Sequence, residues 1–337
     1  MSLILPEKYN FAQNWLIQLK ESLSDPEKIL RYLELDPKNF IADMPAKKLF
    51  AVQISKPFLD KMEKGNPNDP LFKQVFCDRE EFSITEGYLE DPLEESEGKA
   101  QGFLHKYKNR VLIMLKANCA TNCRYCFRRH FADDGYKGNK IQWQKAVDYI
   151  SQHPEVNEVL FSGGDPLTAK DNELTWLFQQ LEAIPHLNRL RIHTRLPIMI
   201  PARITDDLCS LFHKSRFQII VVTHINHANE IDTALAQAMN KLKAVGVTLL
   251  NQSVLLKGIN DDPQILAKLV NKLFDVGILP YYLHVLDHVQ GAGHFYVSDE
   301  TAKQIMRELM TLVSGYLVPR LTREEAGKPS KTILGIF

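Results

Sequence analysis

Residues 116–131 read Lys-Ala-Asn-Cys-Ala-Thr-Asn-Cys-Arg-Tyr-Cys-Phe-Arg-Arg-His-Phe and follow directly on an apolar run. Cys119, Cys123 and Cys126 have the spacing C-x3-C-x2-C, so a tight loop can bring three thiolates to one side. Three thiolates can bind one metal centre and leave a coordination position open for chemistry, whereas four usually close a structural site. The alternatives are a structural zinc completed by His130, and cysteines that bind no metal.

Composition and charge exclude several classes of protein. The chain of 337 residues is long enough for one barrel-sized domain with an N-terminal extension. Its 41 acidic and 41 basic residues balance, so no overall field recruits nucleic acid or an anionic membrane. No apolar run approaches the ~18 residues of a membrane span, and the N-terminus lacks the layout of a signal peptide. Five cysteines, three of them clustered, make a poor disulfide framework, so a cytoplasmic location is expected.

Short apolar strands alternate with helical patterns from residue 111 onward. This alternation favours a parallel sheet covered by helices. The predicted strands are Val111–Lys116, Glu158–Ser162, Arg189–Thr194, Phe217–His224, Val247–Leu255 and Tyr281–Val285. Six strand–helix units predict an α/β fold with a partial (βα)6 barrel of the TIM type.

Three regions are predicted along the chain. They are an N-terminal, mainly helical extension (1–100), the partial barrel (101–297) and a C-terminal helix with a short closing segment (298–337). Within the extension, a helix is predicted over Phe11–Leu23 and a second one starts at Asp25-Pro26, because proline suits a first helical turn. The acidic stretch Glu86–Glu97 is predicted to be a solvated loop. We expect the extension to pack on the barrel and to cover it, without chemistry of its own.

Polar residues gather where the predicted strands end. Active sites of parallel barrels lie at the carboxyl ends of the strands, so we expect a site there. Gly163 and Gly164 lack Cβ atoms and would let backbone approach a ligand closely, and Asp165 can accept a hydrogen bond from an ammonium group. The residues that follow the strands are Asn118–Cys126, Ser162–Asp165, His193–Arg195, His224, Asn226, Gln252 and Asp287.

The cysteine spacing, with the aromatic residue Tyr125 before the last cysteine, resembles the signature of the radical S-adenosylmethionine (SAM) superfamily. Three cysteines of that superfamily hold a [4Fe–4S] cluster, and SAM chelates its fourth iron. Ser-Gly-Gly-Asp-Pro at 162–166 is similar to the superfamily's motif for the SAM amino group. The resemblance therefore implies that Cys119, Cys123 and Cys126 bind the cluster.

Longer runs resemble the lysine 2,3-aminomutase family more narrowly. The closing Pro-Ser-Lys-Thr and the short tail are most similar to the branch that supplies β-lysine for modifying elongation factor P. The matching runs are Cys-Arg-Tyr-Cys-Phe-Arg-Arg-His-Phe (123–131), Phe-Ser-Gly-Gly-Asp-Pro-Leu (161–167), Asn-Gln-Ser-Val-Leu-Leu (251–256), Pro-Tyr-Tyr-Leu-His-Val-Leu-Asp (280–287) and Ser-Gly-Tyr-Leu-Val-Pro (314–319).

This family resemblance implies pyridoxal 5′-phosphate (PLP) as a further cofactor. Lys331 matches the lysine that forms a Schiff base with PLP, and Lys328 is a nearby rival whose flanking residues match less well. The family usually has a glycine-rich stretch before this lysine, where this chain has Glu324-Glu325-Ala326-Gly327-Lys328-Pro329-Ser330. Arg110 and Arg195 are the candidate contacts for the PLP phosphate.

The resemblance also implies the substrate, L-lysine. Arg128 matches the arginine that binds the substrate carboxylate, a good use of a forked donor. Asp287 matches one of two aspartates that bind the ε-ammonium group, and Glu324 stands at the second position with an arm longer by one methylene. A relative specific for glutamate should lack this acidic pair.

The expected activity is that of a radical SAM, PLP-dependent isomerase that converts L-lysine to (R)-β-lysine. The expected partners are a reductase or flavodoxin-type electron donor and a ligase that attaches β-lysine to elongation factor P, with no nucleic acid and no membrane. Two alternatives remain at this stage. One is a radical SAM aminomutase for another amino acid such as glutamate, and the other is a non-enzymatic zinc or iron–sulfur protein.

Overall fold

The computed structural model describes residues 11–96, 101–131 and 138–336, with side chains from Trp15 onward. The first ten residues of the predicted extension, Glu97 of the acidic stretch and residues 132–137 of the predicted barrel lie outside these ranges. Within them, nine strands form one sheet whose spatial order follows the chain. The strands are β1 (Phe103–Tyr107), β2 (Arg110–Lys116), β3 (Glu158–Gly163), β4 (Arg189–Thr194), β5 (Gln218–His224), β6 (Thr248–Val254), β7 (Leu279–His284), β8 (Arg320–Arg323) and β9 (Thr332–Ile333).

Helices connect the parallel strands and precede the sheet. The α-helices of the described chain are α1 (Phe11–Lys20), α2 (Pro26–Tyr32), α3 (Lys56–Leu59), α4 (Lys140–Ser151), α5 (Asp171–Glu182), α6 (Leu196–Met199), α7 (Asp206–Lys214), α8 (Thr233–Ala244), α9 (Pro263–Asp275) and α10 (Asp299–Leu312). Single turns of 3-10 helix lie at Pro37–Phe40, Met44–Lys48, Phe72–Gln74, Arg79–Phe82, Pro166–Thr168, Pro201–Arg203, Ala228–Glu230, Gly293–Phe295 and Gly315–Leu317.

The sheet is parallel from β2 to β8 and antiparallel at its two edges. Each strand from β2 to β8 pairs in parallel with the next, whereas β1 pairs antiparallel with β2 and β9 pairs antiparallel with β8. Strands β2 to β7 correspond to the six predicted strands, so the predicted α/β fold with six strand–helix units is confirmed.

Strands β1, β8 and β9 were not predicted. The turn between β1 and β2 is Lys108-Asn109, which lacks the glycine that usually marks a tight hairpin. Strands β8 and β9 have four and two residues, too few to show an alternating pattern.

Helices begin where the sequence supplies a side chain that caps free backbone N–H groups. The Asp25 carboxylate accepts from the amides of Glu27 and Lys28 at the start of α2, which confirms the start predicted at Asp25-Pro26. Asp262 caps α9 in the same way, and Ser298 caps α10. These caps, with the apolar faces behind them, fix where each helix lies on the sheet.

The N-terminal extension shares its apolar core with the barrel. Trp15 on α1 is buried, and its ring centre lies 4.5 Å from the guanidinium carbon of Arg203. Phe58 on α3 belongs to the same buried cluster as Ile192 on β4. The division of the chain at residues 100 and 297 stays a prediction. No helix in the described ranges combines the length and apolar composition that a membrane span requires.

The acidic stretch is not a solvated loop throughout. Three of its glutamates are exposed, but Leu93 and Glu95 are buried. The carboxylate of Glu95 lies 2.8 Å from Nε of Arg128 and 2.8 Å from Nζ of Lys106. The prediction of a solvated loop is therefore wrong for this residue, because two cations compensate the burial of its charge.

Candidate active site

A cavity of about 680 Å³ is lined by the strands of the sheet and by the loops at their carboxyl ends. Loops contribute one part of its wall, and side chains within the strands contribute the other. All of the predicted site residues line it, although they come from distant parts of the sequence. These are Arg110, Cys119, Cys123, Cys126, Arg128, Gly163, Gly164, Asp165, Arg195, Asp287, Glu324 and Lys331.

The loop after β2 carries the three cysteines and is held by the N-terminal extension. The amide of Asn122 donates to the carbonyl of Gln53 at 2.9 Å, and the amide of Arg124 donates to the carbonyl of Gln74 at 2.9 Å. The loop is thus fixed from outside the barrel. The extension, predicted to be packing material, positions the cysteines through these two backbone hydrogen bonds.

Burial raises the pKa of two of the three cysteines, Cys119 and Cys126. Burial raises the pKa of Cys119 well above its ordinary value, and the nearby Asp165 and the other two thiols raise it further. Burial and the neighbouring Cys123 raise the pKa of Cys126 to about 11. Thiolates are therefore costly here unless cations lie beside them, which a bound iron–sulfur cluster would supply.

The donor set fits a cluster better than a single metal ion. In the part of the chain that the structure describes, no three His, Cys, Asp or Glu side chains are arranged to hold one ion. Three thiolates on a four-iron cluster bind three different iron atoms, so their sulfurs need not meet at one point. His130, the candidate fourth zinc ligand, lies with Nε2 3.0 Å from the carbonyl oxygen of Gln290.

Gly163 and Gly164 lie against the backbone where the cysteine loop begins. A Cβ on Gly164 would come within 2.5 Å of the carbonyl oxygen of Asn118, and one on Gly163 within 2.6 Å of the carbonyl oxygen of Lys116. Gly163 also has a φ of +111°, which side chains rarely allow. The two glycines therefore let β3 approach residues 116–118 and support the cysteine loop, and the close approach of a ligand to them stays a prediction.

The carboxylate of Asp165 accepts four hydrogen bonds from the protein. Its Oδ1 accepts from Oγ1 of Thr194 at 2.7 Å and from the amide of Leu167 at 3.0 Å. Its Oδ2 accepts from the amides of Arg195 and Leu196 at 2.7 and 2.8 Å. Three of these hydrogen bonds tie the turn after β3 to the end of β4 and the turn after it, and the one from Leu167 lies within the turn after β3. The contact of Asp165 with the SAM amino group stays a prediction, and a bound ligand would share a carboxylate that already accepts four hydrogen bonds.

Arg195 lies beside the cysteine loop. Its Nη1 is 2.7 Å from Sγ of Cys123 and 2.6 Å from the hydroxyl of Tyr125, and its Nη2 donates to Glu230 at 3.0 Å. Nη2 also donates to the side chain of Gln74 at 2.7 Å. Both terminal nitrogens are committed in this buried network, so Arg195 supports the cysteine loop, and its contact with the PLP phosphate stays a prediction.

Lys331 and Glu324 form an ion pair inside the cavity. Nζ of Lys331 donates to Oε2 of Glu324, and the hydroxyl of Tyr107 donates to Oε1 at 3.1 Å. Burial alone would raise the pKa of Glu324, but the ammonium group of Lys331 dominates and lowers it to about 2. The rival Lys328 is exposed and does not line the cavity. The placement thus favours Lys331 over Lys328 as the reactive amine.

Arg110 belongs to the Lys331 end of the cavity. Its guanidinium carbon lies 4.1 Å from the ring centre of Tyr107, the residue that donates to Glu324. A guanidinium group stacked on Tyr107 in this cavity can bind a phosphate. The predicted phosphate contact of Arg110 therefore stays a proposal that the geometry favours.

Two nitrogens of the Arg128 guanidinium group donate hydrogen bonds to the protein. Its Nε donates to Glu95 at 2.8 Å, and its Nη1 donates to Oγ of Ser162 at 3.2 Å and to the carbonyl of Gly163 at 3.0 Å. Within the described residues, its Nη2 makes no hydrogen bond with the protein. An arginine fixed in this way presents a preorganised donor to a carboxylate in the cavity.

Asp287 is a carboxylate without a cation in contact. It follows β7, and no side-chain hydrogen bond or ion pair joins its carboxylate to another described residue. Burial raises the pKa of Asp287 to about 7, although the charge of Lys331 opposes this shift. Such a carboxylate gains from an ammonium group that enters the cavity.

Two histidines leave buried ring nitrogens without a partner. Nε2 of His193 and Nε2 of His224 are buried and make no hydrogen bond within the described chain, and both residues line the cavity. Burial lowers the pKa of His224 to about 3, and that of His193 falls well below its ordinary value for the same reason. Both rings are therefore neutral, and bound cofactors would complete their hydrogen bonding.

Glu95 and Lys106 were missed at the level of sequence. Both line the cavity, and Lys106 lies between Glu95 and Glu324, 2.8 Å from the first and 3.6 Å from the second. Lys106 lies on β1, a strand that was not predicted, and Glu95 lies in a stretch whose acidity suggested solvent. No local pattern distinguishes a buried glutamate from its exposed neighbours.

The fold and the cysteine loop define the class of protein. Residues 113–270 match the family model "Radical SAM superfamily", which spans the cysteine loop and strands β3 to β6. The chain is therefore a radical SAM enzyme, as the three thiols beside an open cavity suggested.

Relatives define the family within that class. The chain is 59% identical over 325 residues to the L-lysine 2,3-aminomutase of Escherichia coli (strain K12), covering 96% of this chain and 95% of that protein. It is 60% identical over 333 residues to the L-lysine 2,3-aminomutase of Haemophilus influenzae, covering 98% of each. The enzyme of that name from Clostridium subterminale is 34% identical over 323 residues, covering 95% of this chain and 77% of the relative. The chain belongs to the lysine 2,3-aminomutase family, whose cofactors are a [4Fe–4S] cluster, SAM and PLP.

Proposed function

We propose that this protein is a PLP-dependent lysine 2,3-aminomutase that converts L-lysine to (R)-β-lysine. The observation that supports this most is the charge pattern of the cavity. One wall offers the free Nη2 of Arg128, while Asp287 and Glu324 supply carboxylates elsewhere in the same cavity. L-Lysine carries a carboxylate at one end and an ammonium group at the other, so both ends meet opposite charges.

The residues that would hold the cofactors are separated within the cavity. Cys119, Cys123 and Cys126 would hold the cluster, and Lys331 would hold PLP with its phosphate near Arg110. When bound, the cluster and SAM supply a radical that abstracts hydrogen, and PLP supplies an electrophilic aldehyde that activates the amino group.

The protein's own groups bind and orient the substrate. Arg128 would donate to the carboxylate and fix one end of the chain, and Asp287 would bind the ε-ammonium group. Glu324 contacts the ammonium groups of Lys106 and Lys331, which supports a role for its carboxylate in binding an amine. Burial keeps water from these charges and strengthens each contact.

The test is an anaerobic assay of cluster-reconstituted protein with SAM, PLP, reductant and L-lysine. We expect β-lysine from the wild type, identified by chiral chromatography and mass spectrometry. Lys331→Ala should give none, because no amine is left to anchor PLP, whereas Lys328→Ala, which removes an exposed neighbour, should retain activity. SAM cleavage without change in lysine would leave the radical SAM class intact and show that the substrate is another amino acid, such as glutamate.

We also propose that the product serves a ligase that attaches β-lysine to elongation factor P. The support is the similarity of Pro329-Ser330-Lys331-Thr332 to the branch that supplies β-lysine for this modification. Mass spectrometry of elongation factor P from cells lacking the gene, with and without added β-lysine, tests this role. The proposed electron donor is a reductase or flavodoxin-type protein, and the proposed location is the cytoplasm, which suits five free cysteines. Cell fractionation tests the location.

A further inference from the structure

We propose that Glu95 is a positioning residue for the substrate carboxylate, which acts by holding Arg128 in the orientation that leaves Nη2 free. The inference rests on the proposed function, because it assumes an amino acid whose carboxylate binds Arg128. It deepens that function by assigning a role to a buried acid in the N-terminal extension.

The contacts of Arg128 support this role. A guanidinium group has five N–H donors. Glu95 takes the Nε donor, and Ser162 with the Gly163 carbonyl takes Nη1, so only Nη2 remains without a partner in the described chain. Because the group is planar, fixing two of its nitrogens also fixes the direction of the third.

Glu95 is itself held in place. Its second oxygen, Oε1, accepts from Nζ of Lys106 at 2.8 Å. Its amide donates to Asp91 at 3.0 Å, and the amide of Ser96 donates to the same carboxylate at 2.9 Å. The side chain of Glu95 is 3% exposed. A residue with this many fixed contacts can position another side chain, whereas a solvated glutamate could not.

The segment that carries Glu95 also reaches the other end of the substrate site. We call residues Leu89–Ser96 the strap. The amide of Leu89 donates to the carbonyl of His288 at 2.9 Å, and the amide of Gln290 donates to the carbonyl of Leu89 at 2.9 Å. His288 follows Asp287, the proposed partner of the ε-ammonium group. The strap is therefore hydrogen-bonded next to Asp287 through Leu89 and to Arg128 through Glu95.

An electrostatic role and a positioning role of Glu95 predict opposite changes in the affinity for a carboxylate when Glu95 is removed. Loss of a negative charge beside Arg128 and Lys106 makes this wall more positive, which by itself strengthens the binding of a carboxylate. Loss of the acceptor at Nε lets the guanidinium group turn, which weakens that binding. The sign of the change in affinity thus separates a positioning role from a purely electrostatic one.

The experiment compares L-lysine with L-lysinamide, which keeps both amines and lacks the carboxylate. Dissociation constants are measured by anaerobic calorimetry on the holoenzyme with SAM and PLP and without reductant, so that no turnover occurs. For Glu95→Ala, we expect the preference for lysine over lysinamide to fall about tenfold, the usual scale for a charge-assisted hydrogen bond, with little change for lysinamide. Glu95→Asp should restore part of the preference. Glu90→Ala, an exposed glutamate on the same strap, is the matched control and should leave the preference unchanged.

Thermal unfolding checks that each variant is folded, and Glu95→Leu, which keeps much of the side-chain volume and removes both acceptor oxygens, replaces Glu95→Ala if the latter does not fold. An unchanged or increased preference in a folded variant overturns the proposal, as does an equal loss of affinity for both ligands. If the wild type converts lysine and the variants keep the preference, only this inference fails. If the wild type neither prefers lysine to lysinamide nor forms β-lysine, the proposed function fails and the inference falls with it.

Discussion

Asp287 is the residue whose charge we expect to change near neutral pH. Burial raises its pKa from 3.8 to about 7, so the free enzyme holds a proton there in mildly acidic solution. A protonated carboxyl group binds an ammonium group poorly, and a bound ammonium group in turn favours ionisation. The folding stability of the empty protein changes in the opposite direction to substrate binding. As pH rises from 3.8 to about 7, burial of Asp287 makes the fold less stable, because the carboxyl group of the unfolded chain loses its proton first.

We expect kcat/KM for L-lysine to rise as pH increases through about 7 and then to level off, since kcat/KM reports groups of the free enzyme. Asp287→Asn should remove this rise of kcat/KM with pH and lower kcat/KM by about tenfold to a hundredfold. Steady-state rates across the pH range measure both effects. Asp275→Asn, an exposed aspartate at the end of α9, is the control and should behave as the wild type. Full lysine turnover by Asp287→Asn would argue for a different amino acid as substrate.

The turn after β3 is the element on which the cysteine loop depends. Gly164 has an ordinary backbone conformation, so its lack of a side chain serves only the contact with Ala117 and Asn118. A methyl group there would lie 2.5 Å from a carbonyl oxygen, closer than real contacts allow. Because the obstructing atoms are backbone, the strain can be relieved only by moving the loop.

We predict that Gly164→Ala lowers the iron and sulfide content per chain after reconstitution and destabilises the fold by about 1–3 kcal/mol, the usual cost of overpacking. Iron and sulfide analysis with thermal unfolding measures both. Gly315→Ala is the matched control, since a Cβ there meets nothing within 4 Å and no left-handed conformation is involved. A Gly164→Ala protein with the wild-type iron content would show that the two loops are not coupled.

The buried network around Arg195 joins parts of the whole molecule that are far apart in sequence. It connects Gln74 in the extension, Tyr125 in the cysteine loop and Glu230 after β5, all directly bonded to one guanidinium group. The side chain of Glu230 is completely buried. Removing one partner of a buried ion pair leaves the other charge uncompensated, which costs more than the pair contributes.

We therefore expect Glu230→Gln to lower the free energy of unfolding by about 3–5 kcal/mol. Glu300→Gln removes an exposed partner of Lys303 and should change it by less than about 1 kcal/mol. Denaturant titration of both variants under identical conditions makes the comparison. Equal denaturation midpoints for the two variants would mean that the Arg195 network contributes no more to the stability than an exposed ion pair does.

Over the whole molecule, the sequence alone determined the six central strands of the sheet and the site residues that stand in motifs. Strands β2 to β7 were predictable because the alternation of apolar strands and helices is a local pattern. The cysteines, Arg128, Asp287 and Lys331 were identified because they stand in motifs, and all of them line one cavity. The short edge strands carry too few residues for such a pattern.

Only the tertiary structure decided which partner each charged side chain has. Arg195 bonds Cys123, 72 positions away, Glu95 bonds Arg128 across 33 positions, and Tyr107 bonds Glu324 across 217. Asp165, predicted to bind the SAM amino group, accepts hydrogen bonds from the hydroxyl of Thr194 and the amide of Arg195, 29 and 30 positions away. Spacing along the chain reports which residues are near in sequence, whereas burial and pairing of a charge depend on what the fold packs against it.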